Sequence, residues 1–587
     1  MTSETRVCQN CKQQFVIEPQ DFSFYEKMKV PPPTWCPRCR LQRQFSFRNE
    51  RHLYRRQCNL CHKNIISVFT DNVPFSVYCN NCWWSDNWDP LQYGVMYDFK
   101  LPFFEQWRNL FQKVPKLALN NTKSVNSEYT NYATENKNCY LLVSAWENEN
   151  VLYGTRVHHG KDAMDCYNVF DSSLAYECVD TPKSYGLLYS QECVGCTESS
   201  YLFDCRNCTQ CIACVGLRSK SFHVFNKQVG KEEFQKIKDK LNVNKEFRES
   251  LEKEFEKLKL SIPRKYAQLV KTTASVGDNL YNCKECTSSF DLSECEHCVR
   301  MVIGGKLKDN MDVSYDDESQ LSYEMMSAHQ DYNCRFSSTI WFSRDIAYSQ
   351  HCMSSEQLFG CNALRHKSYC ILNKQYTKEE YEKLIPQIIE QMRSVPYVDK
   401  KGRTYAYGEF FPLELSPFAY NETVAQEYFP LTKEEALTLG SSWKEREDRN
   451  YQITSQANDL PDHIKAVEDS ILKEVIGCEH GGKCNEECTI AFRVTEPELQ
   501  LYRKLNVPLP KLCPNCRHYG RFKKRNPLKL WHRQCQCAGA KSENGVYANT
   551  VSHVHDADHC MNEFETSYAS DRPEIVYCEQ CYNAEVA

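Results

Sequence analysis

The stretch CPRCRLQRQFSFRNERHLYRRQC, residues 36–58, begins with a CxxC pair, ends on another cysteine and is rich in arginine. Its first pair, Cys36 and Cys39, follows Cys8 and Cys11 after 24 intervening residues. Two such pairs let four thiolates converge on one tetrahedral ion, about 2.3 Å from each sulfur. The stretch therefore predicts a metal-stapled module, and it raises the question of what its arginines contact.

Paired cysteines recur in four sets, two near each end of the chain. The third set repeats the 24-residue gap of the first, and the flanks also match: FVIEPQDFSFYEKMKVPPPTWCPRCR aligns with FRVTEPELQLYRKLNVPLPKLCPNCR, and YRRQCNLC with WHRQCQC. This repetition favours duplicated metal sites. The predicted ligand sets are Cys8, Cys11, Cys36 and Cys39; Cys58, Cys61, Cys79 and Cys82; Cys484, Cys488, Cys513 and Cys516; and Cys535, Cys537, Cys578 and Cys581.

Two of these sets leave one ligand open. In the third, Cys478 or His480 competes with Cys484. In the fourth, CxC is a tighter knuckle than CxxC, and the residues that can replace a ligand are His553, His555, His559 and Cys560. Sulfur-only sites suit zinc, with iron as the alternative. Because four protein ligands leave no open position for a substrate, we expect about four structural zinc ions.

The 35 cysteines among 587 residues also bear on the compartment. The chain starts with MTSETRVCQN, which does not resemble a signal peptide, and it has no run of 18 or more apolar residues. Many cysteines without a secretion signal indicate metal binding in a reducing compartment rather than a disulfide framework. We therefore expect a cytoplasmic protein without a membrane span, or virion cargo if the chain is viral.

Two central stretches consist of units of about 10–12 residues with alternating apolar side chains, such as ENVLYGTRV and KDAMDCYNV. We call residues 126–228 repeat half 1 and residues 278–375 repeat half 2. Alternation at this spacing predicts a stacked β-solenoid with two units per coil. Both halves end alike, in LRSKSFHVFNKQVGKEEFQKI and LRHKSYCILNKQYTKEEYEKL, which predicts a strand followed by a capping helix.

The repeat halves contain cysteines of their own. Residues three apart on a strand point to opposite faces, which favours packed apolar thiols or locally bent turns over an iron–sulfur cluster in the run from Cys193 to Cys214. A CxxC-x8-CxxC pattern in repeat half 2 is a better candidate for a small zinc knuckle. Its residues are Cys283, Cys286, Cys295 and Cys298.

These patterns predict a multidomain, mainly β fold with helical insertions, in which duplicated zinc-ribbon modules flank a duplicated β-solenoid-like region. A helix is expected at roughly 456–475. The predicted segments are zinc ribbon 1 (1–57), zinc module 2 with a Trp-rich tail (58–125), repeat half 1 (126–228), a helical insertion (229–277), repeat half 2 (278–375), a capping helix and Pro/aromatic connector (376–477), zinc ribbon 3 (478–534) and zinc module 4 (535–587).

The span from Cys8 to Cys39 resembles the zinc-ribbon (treble-clef-like) domain family, through its CxxC, the FYEK stretch and CPRCR. The run RNERHLYRRQC, the segment YGEFFPLELSPFAYNETVAQEYFPLTKEEA and the element NKQYTKEEY resemble an uncharacterised family of larger cysteine-rich zinc-ribbon and repeat proteins. That family is known mainly from small-genome bacteria and large DNA viruses. The resemblance covers most of the chain and implies zinc binding without an established activity. Members often carry a CoA-transferase-like label, which this cysteine-rich, all-β-like chain does not support.

Arginines beside aromatic residues suit phosphate contacts combined with base stacking, especially on RNA. Residues 1–125 carry 17 Lys/Arg against 10 Asp/Glu, and residues 478–537 carry 12 against 5, so the basic charge coincides with the cysteine-rich ends. The alternative is that the arginines neutralise thiolates, pair with Glu50 and cover apolar surface. The candidate nucleic-acid-binding residues are Arg40, Arg43, Arg48, Arg51, Arg55, Arg56, Arg521, Lys523, Lys524 and Arg525.

The favoured function is a non-enzymatic, zinc-binding protein that contacts nucleic acid, with RNA or a ribosome as the preferred partner. The alternative is a protein–protein interaction scaffold built on a zinc-stapled β-solenoid. The sequence offers no phosphate-cradling glycine loop and no persuasive nucleophile–base pair, so no catalytic residue is predicted.

Overall fold

The computed structural model describes residues 2–445, 451–555 and 558–586. Helices account for 24% and strands for 29% of the chain, so the fold is multidomain and mixed rather than mainly β. The chain forms two compact units, each assembled from segments that are distant in sequence. Unit 1 contains 1–119, 267–446 and 528–530, and unit 2 contains 120–266, 447–527 and 531–587.

This division groups the predicted segments in an unexpected way. The first two cysteine modules belong to the same unit as repeat half 2, and the last two belong with repeat half 1. Each unit therefore has the same inventory, namely one repeat half and two cysteine modules. The duplication seen in the sequence is therefore a duplication of whole units. In chain order, however, repeat half 1, which belongs to unit 2, lies between the first two cysteine modules and the repeat half of unit 1.

The α-helices of the described residues lie mainly in the cysteine modules and after the repeat halves. Several begin at capping boxes, as at Thr377 with Glu380 and at Thr495 with Glu498, where side chains satisfy the free backbone amides of the first turn. In chain order they are α1 (Pro19–Met28), α2 (Pro37–Phe45), α3 (Asn80–Trp83), α4 (Phe103–Lys113), α5 (Lys231–Val243), α6 (Lys245–Ser261), α7 (Lys378–Ser394), α8 (Val424–Tyr428), α9 (Lys433–Leu439), α10 (Glu496–Leu505), α11 (Pro514–Phe522) and α12 (Glu579–Val586).

The strands of unit 1 form short hairpins in the cysteine modules and one long parallel ladder in repeat half 2. The antiparallel pairs are Glu4–Val7 with Gln14–Ile17, Tyr54–Gln57 with Asn64–Ser67, and Tyr397–Val398 with Thr404–Tyr405, and Val77–Tyr78 pairs in parallel with Lys116–Leu117. The ladder contains Leu269–Val270, Val276–Tyr281, Thr287–Ser293, Val302–Gly305, Met311–Asp317, Tyr323–His329, Arg335–Trp341, Arg344–Ala347, Gln350–Met353, Glu356–Phe359, Ser368–Ile371 and Lys374–Gln375.

The strands of unit 2 follow the same plan. Those around repeat half 1 are Asn121–Thr122, Asn131–Thr134, Val143–Trp146, Glu149–Leu152, Thr155–His158, Lys161–Met164, Tyr167–Phe170, Ser200–Phe203, Ile212–Val215, His223–Val224 and Lys227–Gln228. The remaining strands are Arg264–Lys265 with Val576–Tyr577, Trp531–Gln534 with Glu563–Thr566, Cys537–Ala538 with Lys541–Ser542, and the trio Ser455–Gln456, Ile476–Gly477 and Ala491–Phe492.

Parallel partners in both repeat halves are separated by the length of a single repeat unit. Val143 pairs with Thr155 and Thr155 with Tyr167, and in repeat half 2 Tyr323 pairs with Arg335. Each repeat therefore pairs with the next repeat along the chain. The predicted arrangement of two repeats per coil would instead have paired each repeat with the second one along, so that prediction is wrong. Both halves end in an antiparallel turn followed by a helix, α5 or α7, as the shared ending predicts.

The backbone of the repeats turns at every third residue. In one unit, Asn138, Leu141 and Ser144 have positive φ angles of 56°, 47° and 51°. The residue after each turn points inward, so Cys139, Leu142 and Ala145 are buried. The expectation that residues three apart face opposite ways is therefore wrong for this region, because a left-handed residue between them redirects the chain.

Asparagine and aspartate recur at the turning positions because their short polar side chains tolerate left-handed backbone. They also stack along the repeats. The Asn126 amide donates to Asn138 at 3.1 Å, Asn138 donates to Asn150 at 3.1 Å, and Asn150 donates to Asp162 at 3.0 Å. These side-chain ladders reinforce the register between successive repeats.

The helix expected at 456–475 is not formed. Three short 3-10 turns occupy this segment, Ala457–Asp459, Ile464–Ala466 and Asp469–Lys473. Pro461 lies between the first two turns and cannot donate the backbone hydrogen bond that a continuous helix would need.

Among the described residues, every helix is too short or too polar to span a bilayer.

Two carboxyl groups, those of Asp316 and Asp331, are buried inside repeat half 2. Burial raises the pKa of Asp316 to about 8, and it raises the pKa of Asp331 well above its usual range. Since the unfolded pKa is about 3.9, between pH 4 and pH 8 the native state holds a proton at Asp316 that the unfolded chain lacks. Stability therefore falls as pH rises through this window, and Asp316→Asn should raise the thermal midpoint by a few degrees at pH 8 and by less at pH 5.

Calorimetry at the two pH values measures this difference. The half-exposed Glu296→Gln variant is the control, and it should change the midpoint little at either pH. An advantage of Asp316→Asn that is equal or larger at pH 5 would contradict the assignment.

Candidate metal centres

The geometry of the cysteine clusters is that of tetrahedral metal sites. Four sulfurs about 2.3 Å from a central ion lie about 3.8 Å from one another. Each of the groups described here has its ligand atoms within 4.8 Å of one another. All the cysteines are free. Even the shortest sulfur–sulfur distances in these groups are far longer than the roughly 2.05 Å of a disulfide bond.

Site 1 consists of Cys8, Cys11, Cys36 and Cys39, as the spacing predicts. The sulfurs of Cys11 and Cys36 lie 3.7 Å apart. The backbone amide of Cys36 donates to the Cys8 sulfur at 3.2 Å. Cys36 is also the N-cap of α2, where the helix dipole favours negative charge on sulfur.

Site 2 consists of Cys58, Cys61, Cys79 and Cys82 and repeats this design. The sulfurs of Cys61 and Cys79 are 3.8 Å apart, and Cys79 caps the N-terminus of α3. The amide of Cys79 donates to the Cys58 sulfur at 3.3 Å, and the amide of Cys82 donates to the Cys79 sulfur at 3.4 Å.

Site 3 differs from the favoured set in one ligand. The group is Cys478, Cys488, Cys513 and Cys516, with the Cys516 sulfur 3.9 Å from Cys478 and 3.5 Å from Cys513. The Cys513 amide donates to the Cys478 sulfur at 3.3 Å, the contact that Cys36 makes with Cys8 in site 1. Cys478 therefore occupies the Cys8 position, and the first knuckle is lengthened by an insertion.

Cys484, the ligand favoured by the sequence, belongs to that insertion. Its sulfur lies 3.7 Å from that of Cys516, so it remains at the edge of the cluster as a fifth thiol. Its close spacing to Cys488 favoured Cys484 as the first ligand of site 3. The hydrogen bond from the Cys513 amide instead places Cys478 at the position that Cys8 has in site 1.

Site 4 also differs in one ligand. The group is Cys535, Cys560, Cys578 and Cys581, with the sulfurs of Cys560 and Cys578 3.9 Å apart. The favoured ligand Cys537 lies outside this quartet. It belongs to a neighbouring group with His553, His555 and Cys581, so Cys581 is common to both groups.

The arginines of the opening stretch are mostly buried. Arg40 bonds Asp312 at 2.6 Å, and Arg43 contacts Glu324 at 3.0 Å and Glu409 at 2.9 Å. Asp312 and Glu324 occupy equivalent positions in successive repeats, so α2 forms ion pairs with two successive repeats of repeat half 2. Arg40 and Arg43 are at most 1% exposed, which removes them from any surface that could bind phosphate.

Unit 2 contains the same arrangement. Arg521, on α11, pairs with Asp165 at 2.8 Å and Glu177 at 3.2 Å, and these acids again occupy equivalent positions in successive repeats. Arg517 contacts Asp165 at 3.4 Å and Glu498 of α10 at 3.5 Å. In both units, a helix that begins at a metal-site cysteine therefore places buried guanidinium groups on successive repeats. We call these contacts the arginine clamps.

Other candidate nucleic-acid residues are also buried in structural contacts. Arg48 pairs with Glu50 at 2.7 Å, Arg525 pairs with Asp180 at 3.2 Å, and Arg56 is 7% exposed. The nucleic-acid assignment of Arg40, Arg43, Arg48, Arg56, Arg521 and Arg525 is corrected accordingly, because a buried, paired guanidinium cannot reach phosphate.

The remaining candidates lie nearer the surface. Arg51 is partly exposed, with Glu427 at 4.0 Å, and Arg55 is exposed on its hairpin. Lys523 contacts Glu486 at 2.5 Å, and Lys524 lies 3.9 Å from Glu177. Within each unit, therefore, only two of the candidate residues lie near the surface, Arg51 and Arg55 in unit 1 and Lys523 and Lys524 in unit 2.

The candidate zinc knuckle of repeat half 2 lies inside the repeats. Cys283, Cys286, Cys295 and Cys298 are all inward-facing and buried. The Cys286 thiol donates to the backbone carbonyl of Cys295 at 3.5 Å, so these two cysteines of successive repeats are in contact. A metal at this position remains a prediction.

Comparison with known proteins assigns no family to this chain. No protein-family model matches it, and no curated protein does. The resemblance to zinc ribbons and to larger cysteine-rich repeat proteins therefore remains an expectation.

Arg43→Ala tests the clamp of unit 1. Removing one partner of a buried ion pair costs about 3–5 kcal/mol, because the remaining charge loses its compensation. We expect a strongly lowered midpoint in thermal unfolding, with the metal content of the folded protein unchanged.

The exposed Arg55→Ala variant, from the same stretch, is the matched control and should unfold like the wild type. An Arg43→Ala protein of wild-type stability that binds RNA less tightly would instead support the nucleic-acid role.

Proposed function

We propose that this protein is a non-enzymatic, zinc-dependent scaffold for protein partners, built on two β-solenoid stretches that its zinc ribbons hold in shape. The arginine clamps are the observation that carries this proposal. They bind the most basic helices of the chain to its own repeats, so these helices support the fold instead of facing a ligand. A rigid repeat surface then remains for partners, which is the usual role of repeat proteins.

Zinc is the proposed metal at sites 1 to 4. Three features support it: sulfur-only quartets, S–S distances near the tetrahedral value, and backbone amides that donate to the thiolates. Iron is the competing metal for such sites. Elemental analysis distinguishes the two directly.

The exposed faces of the repeats carry both charges in alternation. Lys137 and Lys161 flank Glu149 at 3.3 Å and 2.9 Å along repeat half 1. In repeat half 2, Lys306 bonds Glu318 at 2.8 Å. Nucleic-acid affinity depends on many uncompensated positive charges, whereas these ladders neutralise themselves. Such faces suit a protein partner better than a phosphate backbone.

Nucleic-acid binding, with RNA or a ribosome as partner, remains the alternative. It would have to rest on Arg51, Arg55, Lys523 and Lys524, since the other candidates are buried. The salt dependence of binding separates the two functions, because each phosphate contact releases a counterion.

Two measurements on the full-length protein test the proposal. The first is fluorescence anisotropy with labelled single-stranded RNA and duplex DNA at low and at moderate salt. The second is lysine cross-linking of the protein purified from its native cells after nuclease treatment. We expect no salt-dependent binding in the first, and in the second a stoichiometric protein partner cross-linked to Lys137, Lys161 or Lys306.

The matched control for cross-linking is the triple variant of these lysines to arginine, which keeps the charge and removes the reactive amine. Tight binding that weakens steeply with salt and is lost in the Arg55→Ala, Lys523→Ala variant would overturn the scaffold in favour of nucleic-acid binding.

A further inference from the structure

A long insertion separates the first two cysteines of site 4, Cys535 and Cys560. In site 2, the amide of Cys58 donates to the carbonyl of Lys63 at 2.9 Å, which closes a short loop that ends two residues after Cys61. In site 4, the amide of Cys535 donates to the carbonyl of Asn562 at 2.9 Å.

The flanking hairpins share this register. Gln57 pairs with Asn64 in one and Gln534 with Glu563 in the other. Cys560 therefore corresponds to Cys61, and the 24 residues between Cys535 and Cys560 take the place of the two between Cys58 and Cys61, so the knuckle of site 4 carries an insertion.

The insertion brings ligands of its own. Cys537, His553 and His555 come from it, and with Cys581 of site 4 they form a second group within 4.8 Å. His553 Nδ1 lies 3.2 Å from the Cys537 sulfur, and His555 Nε2 lies 3.3 Å from the Cys581 sulfur. Two sulfurs and two imidazole nitrogens are a common ligand set for structural zinc.

A second layer of contacts fixes the orientation of His553. Its Nε2 lies 2.7 Å from Glu585 Oε1, and both side chains are at most 2% exposed. Glu585 also accepts hydrogen bonds from the hydroxyls of Tyr547 and Thr550, which hold the carboxylate in place. A carboxylate on the outer nitrogen of a histidine is the arrangement that directs the inner nitrogen to a metal. Here the inner nitrogen is directed toward Cys537.

We infer that zinc module 4 binds two zinc ions that share the Cys581 thiolate. One ion is held by Cys535, Cys560, Cys578 and Cys581. The other is held by Cys537, His553, His555 and the same Cys581, whose sulfur has lone pairs for both ions.

Charge favours occupancy of both positions. One zinc ion with four thiolates has a formal charge of −2 and leaves the buried Cys537 beside it. Adding a second zinc ion with the Cys537 thiolate and two neutral imidazoles changes the sum to −1, so the second ion relieves the negative charge of the first. This inference is independent of the proposed scaffold role and concerns only how the module is stapled.

Metal content and magnetic coupling of the full-length protein test the shared site. We expect the double variant His553→Ala, His555→Ala to bind one zinc ion fewer per chain than the wild type. The matched control is His559→Ala, a histidine of the same insertion whose Nδ1 faces the backbone carbonyl of Cys560 at 2.9 Å. This control should bind as many zinc ions as the wild type.

Cobalt substitution of the wild type provides a readout that needs no variant to fold. Two cobalt(II) ions joined by one sulfur couple magnetically, so the electron paramagnetic resonance signal should correspond to fewer spins than the cobalt bound. Equal zinc content in the double variant and the wild type would overturn the inference, as would a cobalt signal that accounts for every bound ion.

Discussion

A guanidinium group buried away from water needs carboxylate partners to compensate its charge. In both units these carboxylates come from successive repeats. Arg43 reaches Glu324 beside the Asp312 partner of Arg40, and Arg521 reaches both Asp165 and Glu177. Burying such charges is expensive, so they are tolerated only when the partners are placed correctly. The clamps therefore require correct spacing of the repeats and a correctly positioned helix at the same time.

The helix of each clamp starts at a candidate metal site. Both α2 and α11 begin at a cysteine of a quartet, Cys36 and Cys513, within one turn of the first clamping arginine. A short helix of this kind has little stability of its own. A metal ion bound at that cysteine would fix the N-terminus of the helix and with it the arginines, and metal binding in the modules would then be linked to order in the repeats.

Much of this architecture was predictable from local sequence patterns. The CxxC pairs of sites 1 and 2 and the short repeats with parallel pairing depend on short-range spacing, which the sequence displays directly. Cys478 and Cys560 were harder to identify as ligands, because insertions separate each from its knuckle partner, Cys488 and Cys535 respectively. The hydrogen bonds from Cys513 to Cys478 and from Cys535 to Asn562 show what spacing alone could not.

The arginines illustrate a different limit of sequence reasoning. A basic run beside aromatic residues has the same composition whether it faces RNA or a row of buried acids. Asp312 and Glu324 lie in a distant part of the chain from Arg40, and nothing near the arginines signals them. Bent turns are one alternative for the run from Cys193 to Cys214, but a turn at every third residue throughout the repeats is not predicted, because alternating apolar residues indicate strand geometry. Left-handed positions such as Asn138 are visible only as a scattered excess of Asn and Asp.

Hydrogen exchange of the full-length protein, with and without removal of zinc by a chelator, tests the link between metal and repeats most directly. We expect peptides covering Asp312 to Glu324 and Asp165 to Glu177 to lose protection together with the cysteine modules. Loss of protection confined to the modules, with these repeats unchanged, would contradict this link.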